Sequence, residues 1–398
     1  MFAILSQRFS LFYKLPKSCV VLLLFSFLEC AAGGIIYYLS LYLGTSTPLS
    51  KLQIGQVGSI VGLGSLLGSL FATYLTDKIN NKKIIAVSFL CLGLGFLGLP
   101  NTMNFNIISL HALMIAIATN TFLTANNTLL LRTAPQDPDS LRMIQSMKVV
   151  SENLGNSCSM ALIMFFAAQY YGQIFEGIGL FFLLFALNAA KYLKSENNTH
   201  LPSKEKNIEQ LNNKRLIYVI VSAVFIIGVI YAQQRIAYPL FLNETFGNFT
   251  TLALLFWLDP IMVSLFQFKV SQMASSLKVY YQLAIGGLLL GGGLFVLMFV
   301  QNLVEAVLAC LIFILGEMLF MPTSFVQCYE LAGAKYKGWA AGIWRSAYSS
   351  GLIMGPVLSG FLLEHYHYTA CWILSGILGL FILSIFLIIP GLNKIWRN

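Results

Sequence analysis

The sequence has few charged residues for its length. Only 10% of the 398 residues are charged, while 58% are hydrophobic. Soluble domains carry roughly 25% charged residues, so this chain does not have enough of them to cover itself with an ordinary water-facing surface. The composition is typical of a protein whose outer surface faces lipid.

Motifs for nucleotide hydrolysis, metal binding and nucleophilic catalysis are also missing. There is no Walker loop, which argues against ATP hydrolysis by this chain. The seven cysteines include no CxxC pair, and His365 and His367 lack a set of cysteine or acidic partners at metal-ligand spacing. No Ser/His/Asp or Cys/His set stands out. We therefore expect no metal, no other cofactor and no enzymatic activity.

The net charge of +9 raises the question of nucleic acid binding. A nucleic-acid-binding protein gathers its basic residues on one face or along one helix. Here the lysines and arginines are scattered between apolar runs. We therefore expect no nucleic acid partner.

Apolar runs of membrane-spanning length follow one another along the chain. A spanning helix needs roughly 20 apolar residues, because a rise of about 1.5 Å per residue has to cover about 30 Å of hydrocarbon. Such runs lie at about 18–43, 54–76, 84–100, 107–131, 143–169, 174–193, 216–242, 250–268, 280–300, 303–325, 338–363 and 369–390. The sequence predicts an all-α integral membrane protein with twelve transmembrane helices.

The basic residues indicate how these spans are oriented. If the N-terminus is cytoplasmic, every lysine and arginine except Lys51 and Arg235 falls in or beside a cytoplasmic segment. Cytoplasmic loops of membrane proteins carry this excess. We expect a multi-pass protein of the plasma membrane, the inner membrane in a bacterium, with both termini in the cytoplasm.

One long polar stretch, from Lys194 to Arg215, divides the spans into two sets of six. It predicts an N-terminal bundle at 1–193, a cytoplasmic loop at 194–215 and a C-terminal bundle at 216–398. A weak internal echo supports a repeat, since Tyr-Leu-Ser-Leu-Tyr-Leu ends span one and Ala-Tyr-Pro-Leu-Phe-Leu ends span seven. Two such bundles in a pseudo-two-fold arrangement commonly enclose a central site near the bilayer midplane.

Glycines four residues apart indicate where helices pack closely. Span two contains the pairs Gly58/Gly62 and Gly64/Gly68, and span eleven is rich in glycine around Pro356. Small residues at this spacing allow two helix backbones to approach each other.

Five ionisable residues lie at depths where lipid does not tolerate charge, and they are Glu29, Glu152, Arg235, Asp259 and Glu317. Such residues normally face a bundle interior and belong to a pathway or relay. A carboxyl group in apolar surroundings resists ionisation and a nearby arginine favours it, so the group can exchange a proton near neutral pH. We predict that these residues couple transport to protons or line a cavity. The alternative is a static ion pair or hydrogen bond that fixes helix packing.

Amides and tyrosines within the spans are candidates for substrate binding, and they are Asn120, Asn126, Gln233, Gln234, Tyr37 and Tyr38. An amide in a span can hydrogen-bond a substrate. It can equally link two helices, at about 1 kcal/mol for each bond. Tyrosines at helix ends also form interface belts, so both interpretations stay open.

The connection between spans two and three resembles the signature of the major facilitator superfamily. It reads Tyr74-Leu-Thr-Asp77-Lys78-Ile-Asn80-Asn81-Lys82-Lys83, with Thr73, Asn80 and Asn81 in place of the usual glycines and one basic residue. In that family the aspartate and the basic residues help to latch the two halves on the cytoplasmic side. The resemblance covers essentially the whole chain and implies the two-bundle fold, with a gating role for Asp77, Lys78, Lys82 and Lys83.

The second half more narrowly resembles the twelve-span, proton-coupled multidrug exporters, which are drug:H+ antiporters. The segments Tyr238-Pro-Leu-Phe-Leu, Leu258-Asp-Pro-Ile-Met and Gly316-Glu317 followed by Pro322 carry this resemblance, which implies proton coupling at Glu317. Those exporters usually have a Gly-Pro signature in span five. This chain has Glu152-Asn-Leu-Gly-Asn156 there, so the direction of transport stays open.

These features predict a secondary active transporter that moves a small molecule by alternating access. We expect coupling to protons, with export of drug-like or amphiphilic compounds. A proton-coupled importer of a small metabolite or siderophore is the alternative. A lipid-modifying enzyme lacks a reactive set of residues at the interface, and a sensor or scaffold would need a sizeable soluble domain. The expected partners are the substrate, protons and the bilayer, and we expect a monomer.

Overall fold

The chain forms a series of long apolar helices. The computed structural model describes residues 16–76, 78–134, 138–192, 214–247, 249–274 and 276–392. Within these ranges the chain is helical almost throughout and contains no β-strand. The predicted all-α fold is confirmed.

The helix boundaries follow the predicted spans closely. In chain order the helices are α1 (Lys17–Gly33), α2 (Leu39–Ser46), α3 (Lys51–Leu75), α4 (Asn81–Gly98), α5 (Phe105–Thr133), α6 (Pro138–Tyr192), α7 (Lys214–Phe246), α8 (Phe249–Ala274), α9 (Val279–Val296), α10 (Leu303–Leu331) and α11 (Gly333–Leu392). A 3₁₀ turn, Gly34–Tyr38, joins α1 to α2. Asparagine caps the start of α4, α5 and α10, where the side chains of Asn80, Asn104 and Asn302 accept backbone N–H groups.

Helices α6 and α11 are each broken by one residue. The backbone leaves helical geometry at Tyr170 (φ −132°, ψ 30°) and at His367 (φ 61°, ψ −177°). An unbroken helix of 55 or 60 residues would be about 83 or 90 Å long, far more than a bilayer needs. The breaks lie where the sequence predicts the junctions between spans five and six and between spans eleven and twelve.

Nine helical segments within the described ranges are long and apolar enough to cross a membrane, judged by length and composition. One further apolar helix, Leu254–Gln267, is shorter, and the segment Gly342–Ile388 runs through the break at His367. The chain is therefore a multi-pass membrane protein. The total of twelve spans stays a prediction.

The chain divides by its contacts into two units. The sequence passes from one unit to the other at more places than the predicted boundary at 194–215. Unit 1 comprises Met1–Ile36 and Gly64–His200, and unit 2 comprises Tyr37–Leu63 and Leu201–Asn398. Residues 37–63 therefore belong by contact to the unit that holds α7 to α11. The bundles predicted at 1–193 and 216–398 stay a proposal about the domain organisation.

A column of phenylalanine rings forms the core of unit 1. Phe89 and Phe96 of α4 stack on Phe175 and Phe182 of α6, with ring centroids 5.8–5.9 Å apart and planes within 25° of parallel. All four side chains are buried. Aromatic pairs of this kind contribute about 0.5–1.5 kcal/mol each through ring-to-ring contact, so this column stabilises the packing of α4 against α6.

Helix α3 packs in each unit through its glycines. In unit 1, a Cβ atom on Gly68 would lie 2.4 Å from the carbonyl oxygen of Ile117 in α5. In unit 2, a Cβ atom on Gly62 would lie 2.6 Å from the carbonyl oxygen of Leu352 in α11. Only a residue without a side chain allows these approaches, so the prediction of close helix packing at these glycines is confirmed.

Polar contacts at the N-terminal end of α3 tie residues 37–63 to the other helices of unit 2. The Lys51 ammonium lies 3.1 Å from the Glu244 carboxylate, which also accepts a 2.6 Å hydrogen bond from the Tyr368 hydroxyl. The backbone N–H of Leu52 donates to the Glu364 carboxylate at 3.0 Å. A carboxylate at a helix N-terminus satisfies a free N–H and complements the helix dipole. Lys51, an exception to the charge pattern, is therefore held in a local ion pair.

Replacing Gly68 by alanine tests the glycine packing. We expect Gly68→Ala to destabilise the protein by about 1–3 kcal/mol, because the new methyl group overlaps a backbone oxygen that cannot rotate away. Gly292→Ala in α9 is the matched control, since nothing lies within 4 Å of a Cβ atom there. Thermal unfolding in detergent micelles measures both variants. Equal midpoints for the two would contradict the packing argument.

Candidate functional site

Four ionisable side chains meet inside unit 2, and we call them the unit 2 polar cluster: Tyr231 and Arg235 of α7, Asp259 of α8 and Glu317 of α10. Tyr231 and Arg235 are one helical turn apart and so share a face of α7. Helices α8 and α10 are joined beside the cluster, where the Gln267 side chain donates a 3.0 Å hydrogen bond to the carbonyl of Met318. The helices therefore position the cluster through backbone contacts as well as through packing.

Glu317 interacts with every other member of the cluster. Its carboxyl group lies within electrostatic reach of the Asp259 carboxyl, the Tyr231 hydroxyl and the Arg235 guanidinium. Oε2 of Glu317, Oδ1 of Asp259 and the Tyr231 hydroxyl are shielded from solvent, and none makes a hydrogen bond of normal geometry within the described residues. The cluster thus contains two carboxyl groups and one guanidinium. The cluster has one acidic group more than it has bases, so a proton or another cation can neutralise it.

Aromatic rings surround Tyr231 and restrict where its hydroxyl can point. Its ring packs edge-on against Phe313 of α10 at 5.3 Å and against Tyr348 of α11 at 5.7 Å between centroids. Tyr348 in turn stacks on Trp344 at 6.0 Å, and the Trp344 indole N–H donates to the Ser324 hydroxyl at 3.1 Å. The result is a row of aromatic rings that runs from Phe313 to Trp344 and ends at the Ser324 hydroxyl.

Sequence reasoning identified Arg235, Asp259 and Glu317 but did not select Tyr231, Phe313 or Tyr348. Aromatic residues are common in spans and do not stand out as charges do. Tyr231 could have been selected from its spacing, because it lies one helical turn before Arg235 and shares a face of the helix with it.

A second acidic group lies in unit 1, where Glu29 is only 2% exposed near the end of α1. The Cys30 thiol donates to Oε2 of Glu29 at 3.6 Å, and the Thr119 hydroxyl is close by. The carboxyl group fits because Gly33, one turn further on, has no side chain, and a Cβ atom there would lie 3.0 Å from Oε1. Local packing thus leaves space for one buried carboxyl group.

Glu152 lies near Glu29 but is already paired. Its Oε1 atom is 2.6 Å from the Lys148 ammonium one turn earlier in α6. Both members of this ion pair lie within electrostatic reach of Glu29. The structure therefore groups two of the predicted coupling residues, Glu29 and Glu152, in unit 1, and the other three in unit 2.

The two asparagines predicted to bind substrate differ in their surroundings. Asn126 is fully buried, and its amide donates to the Leu22 carbonyl at 3.0 Å and to the Ser26 hydroxyl at 2.8 Å, which links α5 to α1. Asn120 is half-buried and donates to the Ala116 carbonyl of its own helix at 3.0 Å. These contacts favour a helix-linking role for Asn126 and leave the Asn120 oxygen available for a ligand.

The remaining substrate candidates belong to unit 2. Gln233 is fully buried, and within the described residues neither polar atom of its amide has a hydrogen-bond partner. Gln234 is half-buried. Tyr38 is buried and packs edge-on against Phe256 at 4.7 Å. The side chain of Tyr37 lies outside the described residues.

The predicted gating residues are described only in part. Asp77 lies outside the described residues. The Lys78 ammonium sits over the Tyr74 ring, 4.0 Å from its centroid, and hydrogen-bonds the Tyr74 hydroxyl. Lys82 is half-buried and Lys83 is exposed in the first turn of α4. The role of these four residues in a latch stays a prediction.

No metal centre accompanies these sites in the described part of the chain. Groups of three or more histidine, cysteine, aspartate or glutamate side chains that could hold a metal ion are absent from it. The seven cysteines are all free thiols.

Comparison with known proteins places this architecture in a family. The sequence profile of the Major Facilitator Superfamily matches residues 21–343. The chain belongs to the major facilitator superfamily. An uncharacterized MFS-type transporter of Bacillus subtilis (strain 168), YceJ, is 28% identical over 88 residues. That match spans 22% of this chain and 23% of the relative, less than a quarter of its length.

Solved transporter structures share the fold at low sequence identity. The nucleoside transporter NupG superposes with a TM-score of 0.76 at 15% identity, over 93% of this chain and 99% of that one. The POT family transporter PepTSo gives a TM-score of 0.76 at 14% identity, over 96% and 99%. A peptide transporter POT in complex with sulfate gives 0.78 at 14%, over 95% of each chain. These likenesses show that the chain has the same fold as these proteins.

The two asparagines form a natural pair of variants. We expect Asn126→Leu to lower stability by about 1–2 kcal/mol, because it removes two buried hydrogen bonds that link α5 to α1. Asn120→Leu removes only a bond to its own helix, so we expect an unfolding midpoint close to that of the unchanged protein. Thermal unfolding in micelles compares them. A larger loss for Asn120→Leu than for Asn126→Leu would refute the assignment.

Proposed function

We propose that the protein is a proton-coupled secondary transporter in which the unit 2 polar cluster takes up and releases the coupling proton. Membership of the superfamily supports the general function, secondary transport of a small molecule across a membrane. The observation that supports coupling is the cluster's composition. The cluster holds two carboxyl groups and one guanidinium, and one shielded oxygen of each carboxyl group, Oδ1 of Asp259 and Oε2 of Glu317, has no hydrogen-bond donor within the described residues.

Protonation of Glu317 changes the forces between three helices. When Glu317 is ionised, it attracts Arg235 of α7 and repels an ionised Asp259 of α8. When it is protonated, both forces disappear. A ligand or proton shifts a conformational equilibrium only if it interacts differently with the two states. The cluster supplies such a difference, since each protonation state favours a different spacing of α7, α8 and α10.

Glu29 is the second candidate for the coupling site. It is buried beside the Lys148–Glu152 ion pair in unit 1, so a change in its charge alters the balance of that pair. Gln233, with its unbonded buried amide, is the favoured substrate-binding residue, followed by Asn120, Gln234, Tyr37 and Tyr38. Asp77, Lys78, Lys82 and Lys83 are proposed to act in gating.

Export of an amphiphilic or drug-like compound is the favoured direction and substrate class. Its support is the aromatic wall of Tyr231, Phe313, Tyr348 and Trp344 beside an excess of acid, which suits an apolar molecule with a polar or basic group. The alternative is a proton-coupled importer of a small metabolite or siderophore. It draws support from the shared fold, since solved structures of that fold include nucleoside transporters and proton dependent oligopeptide transporters. In either case we propose a monomer in the plasma membrane with both termini in the cytoplasm.

Substrates can be found by thermal shift, because a ligand that binds only the folded state raises the unfolding midpoint. The purified protein is screened against amphiphilic drugs, metabolites and siderophores. A ligand present at 100 times its dissociation constant stabilises the protein by about 2.7 kcal/mol. We expect hits among basic amphiphiles, and hits confined to polar metabolites or siderophores would favour the importer.

Glu317→Gln tests the coupling role in proteoliposomes. We expect this variant to lose uphill substrate movement driven by a pH gradient while retaining downhill exchange, because glutamine keeps the shape of the side chain but cannot carry a proton. Glu330→Gln, a change at an exposed position of the same helix, is the matched control and should behave like the unchanged protein. Uphill transport that survives in Glu317→Gln would rule out the role.

A further inference from the structure

An open groove of about 500 Å³ runs along unit 1 between α3, α4 and α5. We call it the lysine groove, and its main lining residues are Ile79, Lys83, Val87, Cys91, Leu110 and Ile117. The lining is apolar except for Lys83 and a few small polar groups. Among those, the Thr121 hydroxyl already bonds the Gly68 carbonyl. The neighbouring side chains are open to the surroundings, with Val87 58% and Leu110 62% exposed.

The charge in this groove lies at one end. Lys83 is in the first turn of α4, and Val87 and Cys91 follow one and two turns later on the same face. Eight residues of helix correspond to about 12 Å. Leu110 and Ile117 of the antiparallel helix α5 extend the apolar part. A ligand in the groove would therefore have a cation beside one end and apolar side chains along at least two helical turns beyond it.

The cationic end of the groove coincides with the positive end of a helix. The first turn of α4 contains Lys82 and Lys83 and no acidic residue. The N-terminus of a helix carries a partial positive charge and normally favours acidic side chains over basic ones. Two lysines at this position raise a positive potential that is already there. An anion beside Lys83 would offset both contributions.

We propose that the lysine groove binds a membrane phospholipid with an anionic headgroup, with its phosphate beside Lys83 and one acyl chain along Val87, Cys91 and Leu110. Both halves of this ligand match the groove. A fixed cation complements the headgroup, and an exposed apolar channel complements the chain. Basic pockets between transmembrane helices are known to select anionic headgroups. The bilayer is the source of the ligand, because the groove opens on the apolar surface of the helices.

Unit 2 contains a groove of similar size that lacks the charge. It has a volume of about 570 Å³, and residues that line it include Leu52, Phe225, Val229, Met354, Leu358 and Phe361. Every residue that lines it is apolar. This groove offers the acyl chain an equivalent surface and the headgroup no cation. Of these two grooves, only the lysine groove should therefore prefer an anionic lipid.

The first experiment counts bound lipid. Purified protein is titrated with dioleoyl phosphatidylglycerol or dioleoyl phosphatidylcholine and examined by native mass spectrometry. We expect one phosphatidylglycerol to bind more tightly than any phosphatidylcholine, and Lys83→Gln to weaken it about fivefold, the factor for one lysine at an anionic surface. Lys278→Gln is the matched control, since Lys278 is also exposed beside a helix N-terminus, that of α9, but lines neither groove. Equal binding of the two lipids, or equal losses in both variants, would overturn the proposal.

The second experiment blocks each groove with an indole. Val87→Trp fills the lysine groove and Leu358→Trp fills the apolar one, and both positions are exposed, so neither change overpacks the core. We expect only Val87→Trp to remove the tight phosphatidylglycerol. Unfolding midpoints in the absence of lipid confirm that both variants fold. Retention of phosphatidylglycerol by folded Val87→Trp, or its loss from Leu358→Trp alone, would show that the lipid binds elsewhere.

Discussion

In hydrocarbon, each backbone N–H and C=O group needs a hydrogen bond within the protein, because no water is present to supply one. Helices meet this requirement locally, and the described chain is helical almost throughout. The hydrophobic effect does not drive these helices together, because lipid tails are as apolar as the side chains. Helix association therefore depends on close packing. The glycines of α3 show the result, since Gly62 and Gly68 bring the backbones of neighbouring helices into direct contact.

The same environment makes each buried polar group informative, because lipid cannot solvate it. Some polar groups in the helices have partners within the protein. Lys148 neutralises Glu152, and the Asn126 amide nitrogen links α5 to α1. The acidic groups of the unit 2 polar cluster differ, since two carboxyl groups accompany a single guanidinium. This excess of acid inside apolar helices is the physical basis of the proton coupling that we propose.

How far the site could be predicted depended on the kind of residue. Arg235, Asp259 and Glu317 were found from their depth in the spans, because charge is rare there and stands out. Asn120 and Asn126 looked equivalent in the sequence, although one bonds its own helix and the other a neighbouring helix. Tyr231 and Tyr348 were missed, because tyrosine is ordinary in a span and only the tertiary structure shows that Tyr231 lies beside Glu317 and packs against Tyr348. The lysine groove could not be predicted from the sequence either. There Lys83 is part of a loop signature, and only the structure shows that α3, α4 and α5 form a groove beside it.

The sequence by itself determined where the helices run, including the junctions near Tyr170 and His367, because hydrophobic length and charge asymmetry are properties of consecutive residues. It also determined which side chains are out of place in lipid. Only the tertiary structure decided which of them meet. Asp259 and Glu317 come from different helices, and residues 37–63 pack with helices that follow much later in the chain. Those contacts depend on how the helix surfaces fit against each other, and neither the periodicity nor the composition of the sequence predicts that fit.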